Sequence, residues 1–137
     1  NDEDLKDANL AGALLKKANL QGATLIKANL TNADLRYANL SNALLNNADL
    51  QGASLEFANL EGANLTDADL RGVSLSGAKL AGVHGLDTAN LEGVIMPDSD
   101  LIYEILWNKN IFLSKIVIVV YSLALSIKCY YIGKLSQ

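Results

Sequence analysis

One cysteine, one histidine, one proline and one tryptophan are spread over 137 residues, and these scarcities remove whole classes of function. Lone Cys129 excludes an internal disulfide and any zinc cage built from cysteines. With His84 as the sole histidine, a His-based metal site or a Ser-His-Asp triad has almost no raw material. Aromatics make up 6% of a chain that is 50% hydrophobic. Apolar content built from Leu and Ala implies a thin, regular core rather than a globular one. The sequence opens at Asn1 with neither Met nor an apolar h-region, so no signal peptide is expected within it; either one has been removed or the true start lies upstream. The ten glycines never form a GxGxxG run ahead of a helix, which disfavours a phosphate-binding loop.

Charge is low and unevenly placed. The net value is −4, but the stretch ending at Leu101 carries 14 acidic and 7 basic side chains. Beyond it, Glu104 faces Lys109, Lys115, Lys128 and Lys134, so the two parts belong in different surroundings. The acidic balance of the first part disfavours nucleic-acid binding.

What the chain does contain is a repeat. Leu stands at every fifth position from Leu5 to Leu80, and from Ala8 onward Ala stands two residues before each Leu, replaced only by Val73 and Val83. Asn or Asp falls between them in most units, as in Ala8-Asn9-Leu10 and Ala48-Asp49-Leu50. Gly or Asn often follows two residues after Leu: Gly12, Gly22, Asn32, Gly52, Gly62, Gly72, Gly82. On an α-helix a period of five would carry the leucines around the cylinder, and on a flat strand it would alternate their faces. Three extended residues followed by a two-residue corner keep every Leu and Ala inside and every Asn or Asp outside. Gly and Asn suit the corner because they tolerate positive φ. The period slips once, where Val83-His84-Gly85-Leu86 makes a gap of six; Gly85 is expected to absorb a bulge, with His84 at an inward or rim position.

The pattern resembles the pentapeptide-repeat family, A(D/N)LXX, over roughly 70% of the chain. The resemblance implies an all-β fold, a right-handed quadrilateral β-helix with four pentapeptides per coil. About five coils at ~4.8 Å spacing would form a rod roughly 24 Å long. Leu5, Leu25, Leu45 and Leu65 would stack as one interior ladder, each contributing about 1.5–3 kcal/mol.

Residues twenty apart then share a face. Asn9, Asn29, Asp49 and Asp69 line one edge; Asn19, Asn39, Asn59 and Lys79 line another. Tyr37 and Phe57, one coil apart and beside Lys17 and Arg36, form an outward aromatic pair, and exposed aromatics with Arg are the residue types that mark contact sites. Their simpler reading is lateral stacking between coils. Ile26 and Leu44 make a smaller apolar patch. No catalytic set emerges, since Asp67 and Asp69 lie on a solvated face without an apolar pocket to raise a pKa. The chain is therefore expected to be no enzyme, with no cofactor, metal or small-molecule substrate.

Met96-Pro97-Asp98 ends the repeat, because proline interrupts a ladder, so the β-helix is expected over 1–101. Asp98 or Asp100 suits the cap of a short helix over 102–110 carrying Ile102, Ile105 and Leu106. Residues 111–132 then form an apolar run. Its uncharged centre, 116–127, covers only about 18 Å, but the whole spans about 33 Å, enough for the ~30 Å hydrocarbon core. Lys115 and Lys128 would snorkel to opposite interfaces, and Trp107 with Tyr130 and Tyr131 suit the interfacial belts. Ser122 and Ser126 form a small-xxx-small pair for close helix contact. A single transmembrane helix over 111–132 with a tail over 133–137 resembles a tail-anchored arrangement, the repeat on the cytosolic or stromal side.

Two functions compete. One is a membrane-anchored scaffold or accessory subunit, bound to lipid and to protein subunits of a membrane complex; the family's abundance in photosynthetic lineages suggests a thylakoid complex. Its binding residues would be Tyr37, Phe57, Arg36, Ser122 and Ser126. The other is a soluble DNA-mimicking protein that protects gyrase and dimerises through its C-terminal helix.

Overall fold

The computed structural model describes residues 3–97. The helices expected over 102–110 and 111–132, with Ser122 and Ser126, lie outside the described residues. Within them the chain coils into a four-sided tube whose sides are parallel bridges between residues twenty apart. The first face carries the rungs Asp4, Thr24, Leu44, Asn64 and His84; the second Asn9, Asn29, Asp49, Asp69 and Asn90; the third Leu14, Asp34, Ser54, Ser74 and Ile95; the fourth Asn19, Asn39, Asn59 and Lys79. Each corner takes its number from the face it follows.

The five-residue period arises from backbone hydrogen bonding, and the third coil shows how. Leu45 donates its N–H to the Asn64 carbonyl one coil ahead (2.8 Å), and Asn64 returns an N–H to Ala43 (2.9 Å). At the corner, Ala48 N–H closes a turn on the Leu45 carbonyl (3.0 Å), while Asn47 N–H reaches Thr66 in the next coil (2.9 Å). The third residue of this turn has to adopt positive φ, and Asn47 does so at 56°. Four of the five amides in the unit thus bond to backbone. The fifth, at the first corner position, is met by a side chain only in units where the residue two before it is Asn or Asp: Asp49 Oδ1 accepts from Gln51 N–H (3.0 Å) and Asn59 Oδ1 from Glu61 N–H (3.0 Å), whereas Asn46 follows Leu44. The outward Asn and Asp therefore cap the turn that follows them.

Inside, every Leu from Leu25 to Leu80 is fully buried, and the paired Ala or Val positions from Ala23 to Val83 are buried with them. The tube is too narrow for two large layers, so Ala faces Leu. Leu5, Leu10 and Leu15 in the first coil pack against this core but are only partly buried.

The single slip is resolved differently from the sequence expectation. His84 is neither inward nor at a rim: it is exposed and continues the first face as the rung after Asn64. Leu65 N–H still bonds the His84 carbonyl (2.8 Å), so the regular register survives through His84 and the extra residue enters afterwards. Thr88 and Ala89 both donate to the Gly85 carbonyl (3.2 and 3.0 Å), making a wider turn, and Leu86 is buried as the core residue of that unit. From there rungs are twenty-one residues apart, Asp69 with Asn90 and Ser74 with Ile95. The widened turn no longer offers Asp67 N–H a backbone carbonyl in the usual register, and Thr88 Oγ1 accepts it instead (2.9 Å). Gly85 is needed for two reasons. Its φ is +82°, and a Cβ there would run into the backbone nitrogen of Thr66.

Two substitutions separate core from corner. Leu45→Asp places a carboxylate among Ala and Leu with nothing to pair it and is expected to abolish the cooperative thermal unfolding transition; an unshifted melt would refute the interior assignment. Gly85→Ala adds a clash with the Thr66 backbone to a positive-φ cost of about 1–3 kcal/mol, and is expected to lower stability by at least that amount, read from the urea midpoint.

Candidate protein-binding corner

The third corner gathers the most varied side chains among the described residues: Lys16 and Lys17, Arg36 and Tyr37, Glu56 and Phe57, Ser76 and Gly77 in successive coils. Tyr37 and Phe57 occupy the second corner position, where the turn imposes φ of 60° and 59°. Bulky residues seldom tolerate that region, which costs of order 1–3 kcal/mol each unless the surroundings compensate. The compensation is visible. Their rings stack with centroids 5.0 Å apart and planes 10° from parallel, a contact worth about 0.5–1.5 kcal/mol beyond area burial. Lys16 Nζ lies 5.9 Å from the Tyr37 centroid, within cation–π range. On the far side the Phe57 ring rests on Gly77, where an added Cβ would sit 2.5 Å from Phe57 Cδ1. Even so, Tyr37 and Phe57 remain 50% and 54% exposed.

Arg36 does not project freely. Its Nε and Nη2 donate to the two oxygens of Asp34 at 2.7 and 2.6 Å, a bidentate pair beside the aromatics. That hydrogen bonding holds the Asp34 carboxyl down to about 2 and pushes the Arg36 guanidinium up. Glu56 Oε2 is buried without a hydrogen-bond partner among the described residues, and its charge also favours the protonated Arg36.

Sequence reasoning paired Tyr37 with Phe57 correctly in space and placed Arg36 beside them. It did not assign Gly77 as the seat of Phe57, although Tyr37, Phe57 and Gly77 fall twenty apart. It also missed an open groove of about 770 Å³ along the second corner, lined by Thr31, Asn32, Gln51, Gly52, Arg71 and Glu92 among others. Arg71 is occupied there by Asp69 at 2.6 Å, which keeps the Asp69 carboxyl low, and the groove is lined by polar residues and glycines, with no aliphatic or aromatic side chain. Ile26 is half-buried and Leu44 is exposed on the first side of the tube, a smaller patch than the aromatic one. Among the described residues no cluster of His, Cys, Asp and Glu is disposed to hold a metal.

A family model for pentapeptide repeats matches residues 4–42, 28–67 and 48–84. The chain belongs to the pentapeptide-repeat family. Proteins of this family fold as right-handed quadrilateral β-helices, in keeping with the four bridged faces here. Among solved structures, the chain is similar to HetL, a pentapeptide repeat protein involved in heterocyst differentiation regulation in the cyanobacterium Nostoc. The two share 36% identity over 69% of this chain and 52% of HetL, with a TM-score of 0.58, so the chain spans about half of HetL's length. It is similar also to a pentapeptide repeat protein of the Arabidopsis thaliana thylakoid lumen, at 28% identity over 76% of this chain and 74% of that one, TM-score 0.65. A further Nostoc pentapeptide repeat protein shares 29% identity over 72% and 77% of the respective chains, TM-score 0.50. Comparison with curated proteins returns no match.

The Asp34–Arg36 pair makes the corner pH-sensitive only in acid. Because the folded carboxyl titrates below its ordinary 3.8, the pair's contribution is complete above that value and is lost as pH falls through about 2. An NMR titration of the Asp34 carboxyl carbon is expected to give a midpoint near 2, moving up to the ordinary range in Arg36→Gln.

Proposed function

We propose that this protein is a non-catalytic scaffold or accessory subunit, anchored to a membrane through residues 111–132, that binds protein partners through the third corner of its β-helix. The observation that supports this most is the exposed Tyr37–Phe57 stack. Two half-exposed aromatics at positive φ are of the kind that supply interface hot spots. The remaining faces are mostly Asn, Asp, Ser and Thr, whose desolvation returns little on binding. No helix among the described residues is long and apolar enough to cross a membrane, so the anchor rests on the composition of 111–132, with Ser122 and Ser126 as its contact side. The relatives from a thylakoid lumen and from a cyanobacterium support a photosynthetic setting. A gyrase-protecting DNA mimic remains the less favoured alternative, since Lys16, Lys17 and Arg36 interrupt the acidic surface such mimicry needs.

Deleting residues 111–137 is expected to move the protein from the membrane fraction to the soluble one while the circular dichroism of the β-helix persists. Extraction of the full chain by a carbonate wash would remove the anchor from the account. In mild detergent, Tyr37→Ala with Phe57→Ala is expected to weaken association with a partner subunit by about 2 kcal/mol or more. Ser122→Leu with Ser126→Leu should loosen helix docking through steric exclusion. Recovery of the same complex in equal yield from both double variants would overturn this binding surface.

A further inference from the structure

We infer that the third corner takes an acidic segment of a partner protein, one that brings apolar side chains to the rings; this rests on the scaffold reading above and names the partner's chemistry. The first support is the distribution of charge. Among the described residues, Lys16, Lys17 and Arg36 stand on the third corner and Lys79 on the fourth face beside it, and only Asp34 and Glu56 oppose them there. The rest of the described tube carries nine acidic side chains (Glu3, Asp4, Asp7, Asp49, Glu61, Asp67, Asp69, Asp87 and Glu92) against Lys6, Lys27 and Arg71. One edge of an acidic rod is therefore cationic, and it is the edge that exposes the aromatics. Coils lie ~4.8 Å apart, so Lys16 and Lys17 act on anything touching Tyr37 from within a Debye length of about 10 Å. Complementary fields of this kind select partners and speed their encounter.

The second support is the geometry of the rings. The two rings stack on each other, Lys16 Nζ stands over the Tyr37 ring, and Phe57 packs against Gly77. The stack occupies one face of each ring, which reduces the surface on which a nucleobase could stack, the contact that single-stranded nucleic acid requires. About half of each aromatic residue remains exposed, an apolar patch that suits aliphatic side chains flanked by carboxylates. Leu14, on the third face in the first coil, is 88% exposed and adds an apolar side chain two residues from Lys16.

The test uses the full chain in neutral nanodiscs and a fluorescent synthetic peptide of alternating Glu and Leu, read by anisotropy at low and high salt. A peptide of alternating Lys and Leu and vesicles containing phosphatidylserine serve as comparisons. The Glu–Leu peptide is expected to bind, to be released by salt, and to lose about tenfold in affinity in Lys16→Glu with Lys17→Glu. Circular dichroism checks that these exposed substitutions leave the β-helix intact. Binding lost in Tyr37→Ala with Phe57→Ala but unchanged by the lysine reversals would keep the corner as an interface and overturn the acidic partner. Equal binding of the Lys–Leu peptide, or binding of the vesicles without the Glu–Leu peptide, would also overturn it. Binding that neither double variant alters would sink the corner itself.

Discussion

The chain closes a four-sided circuit every twenty residues and hydrogen-bonds each circuit to the next, and the remaining features depend on that closure. A tube this narrow admits one Leu and one Ala or Val per side, and the bonds from Leu45 to Asn64 and from Asn64 back to Ala43 fix which residues those are. Interior and ladder are coupled: shifting the register by one residue would turn Leu outward on every face. The one insertion therefore has to be absorbed within a single corner. Gly85 accepts the backbone conformation and the close approach, and Thr88 Oγ1 supplies the acceptor that the widened turn displaces.

The same constraint leaves function only the outside, and restricts part of that. Of the three outward positions in each unit, the one between Ala and Leu caps the next turn when it is Asn or Asp. The second corner residue must take positive φ, which explains Gly, Asn and Asp there. Tyr37 and Phe57 depart from that rule, and their stacking on each other and on Gly77 shows how the fold tolerates them. Because they coincide with the cationic edge of an otherwise acidic rod, the third corner differs from the rest in shape and charge at once. The proposed partner-binding role of the third corner rests on that coincidence.

Much of this was readable from residue spacing. The Leu and Ala interior, the corner glycines and the pairing of Tyr37 with Phe57 follow from periods of five and twenty, which the hydrogen-bond ladder preserves. What escaped was local bonding that spacing does not reveal. Asn29 and Asn59 look like solvated polar residues until their Oδ1 atoms are seen to accept the amide two residues on. His84 was misplaced because a six-residue gap does not say on which side of His84 the extra residue enters; the Leu65 bond to its carbonyl does. Gly77 was overlooked because its role lies in the residue twenty before it rather than in its own turn. The membrane-spanning reading of 111–132, with Ser122 and Ser126, concerns residues outside those described.

Residue-resolved amide hydrogen exchange tests the coiled ladder most directly. Protection should recur every five residues, with the first corner position exchanging fastest in each unit. Among those positions, Lys16, Asn46 and Ala81 follow Leu14, Leu44 and Lys79, which offer no side-chain acceptor, whereas the Gln51, Glu61 and Thr66 amides donate to Oδ1 of Asp49, Asn59 and Asn64. The first three should exchange faster than the second three, all against a background of slow Leu and Ala amides from Leu25 to Leu75. Protection without a five-residue period, or equal rates in the two sets, would contradict the account.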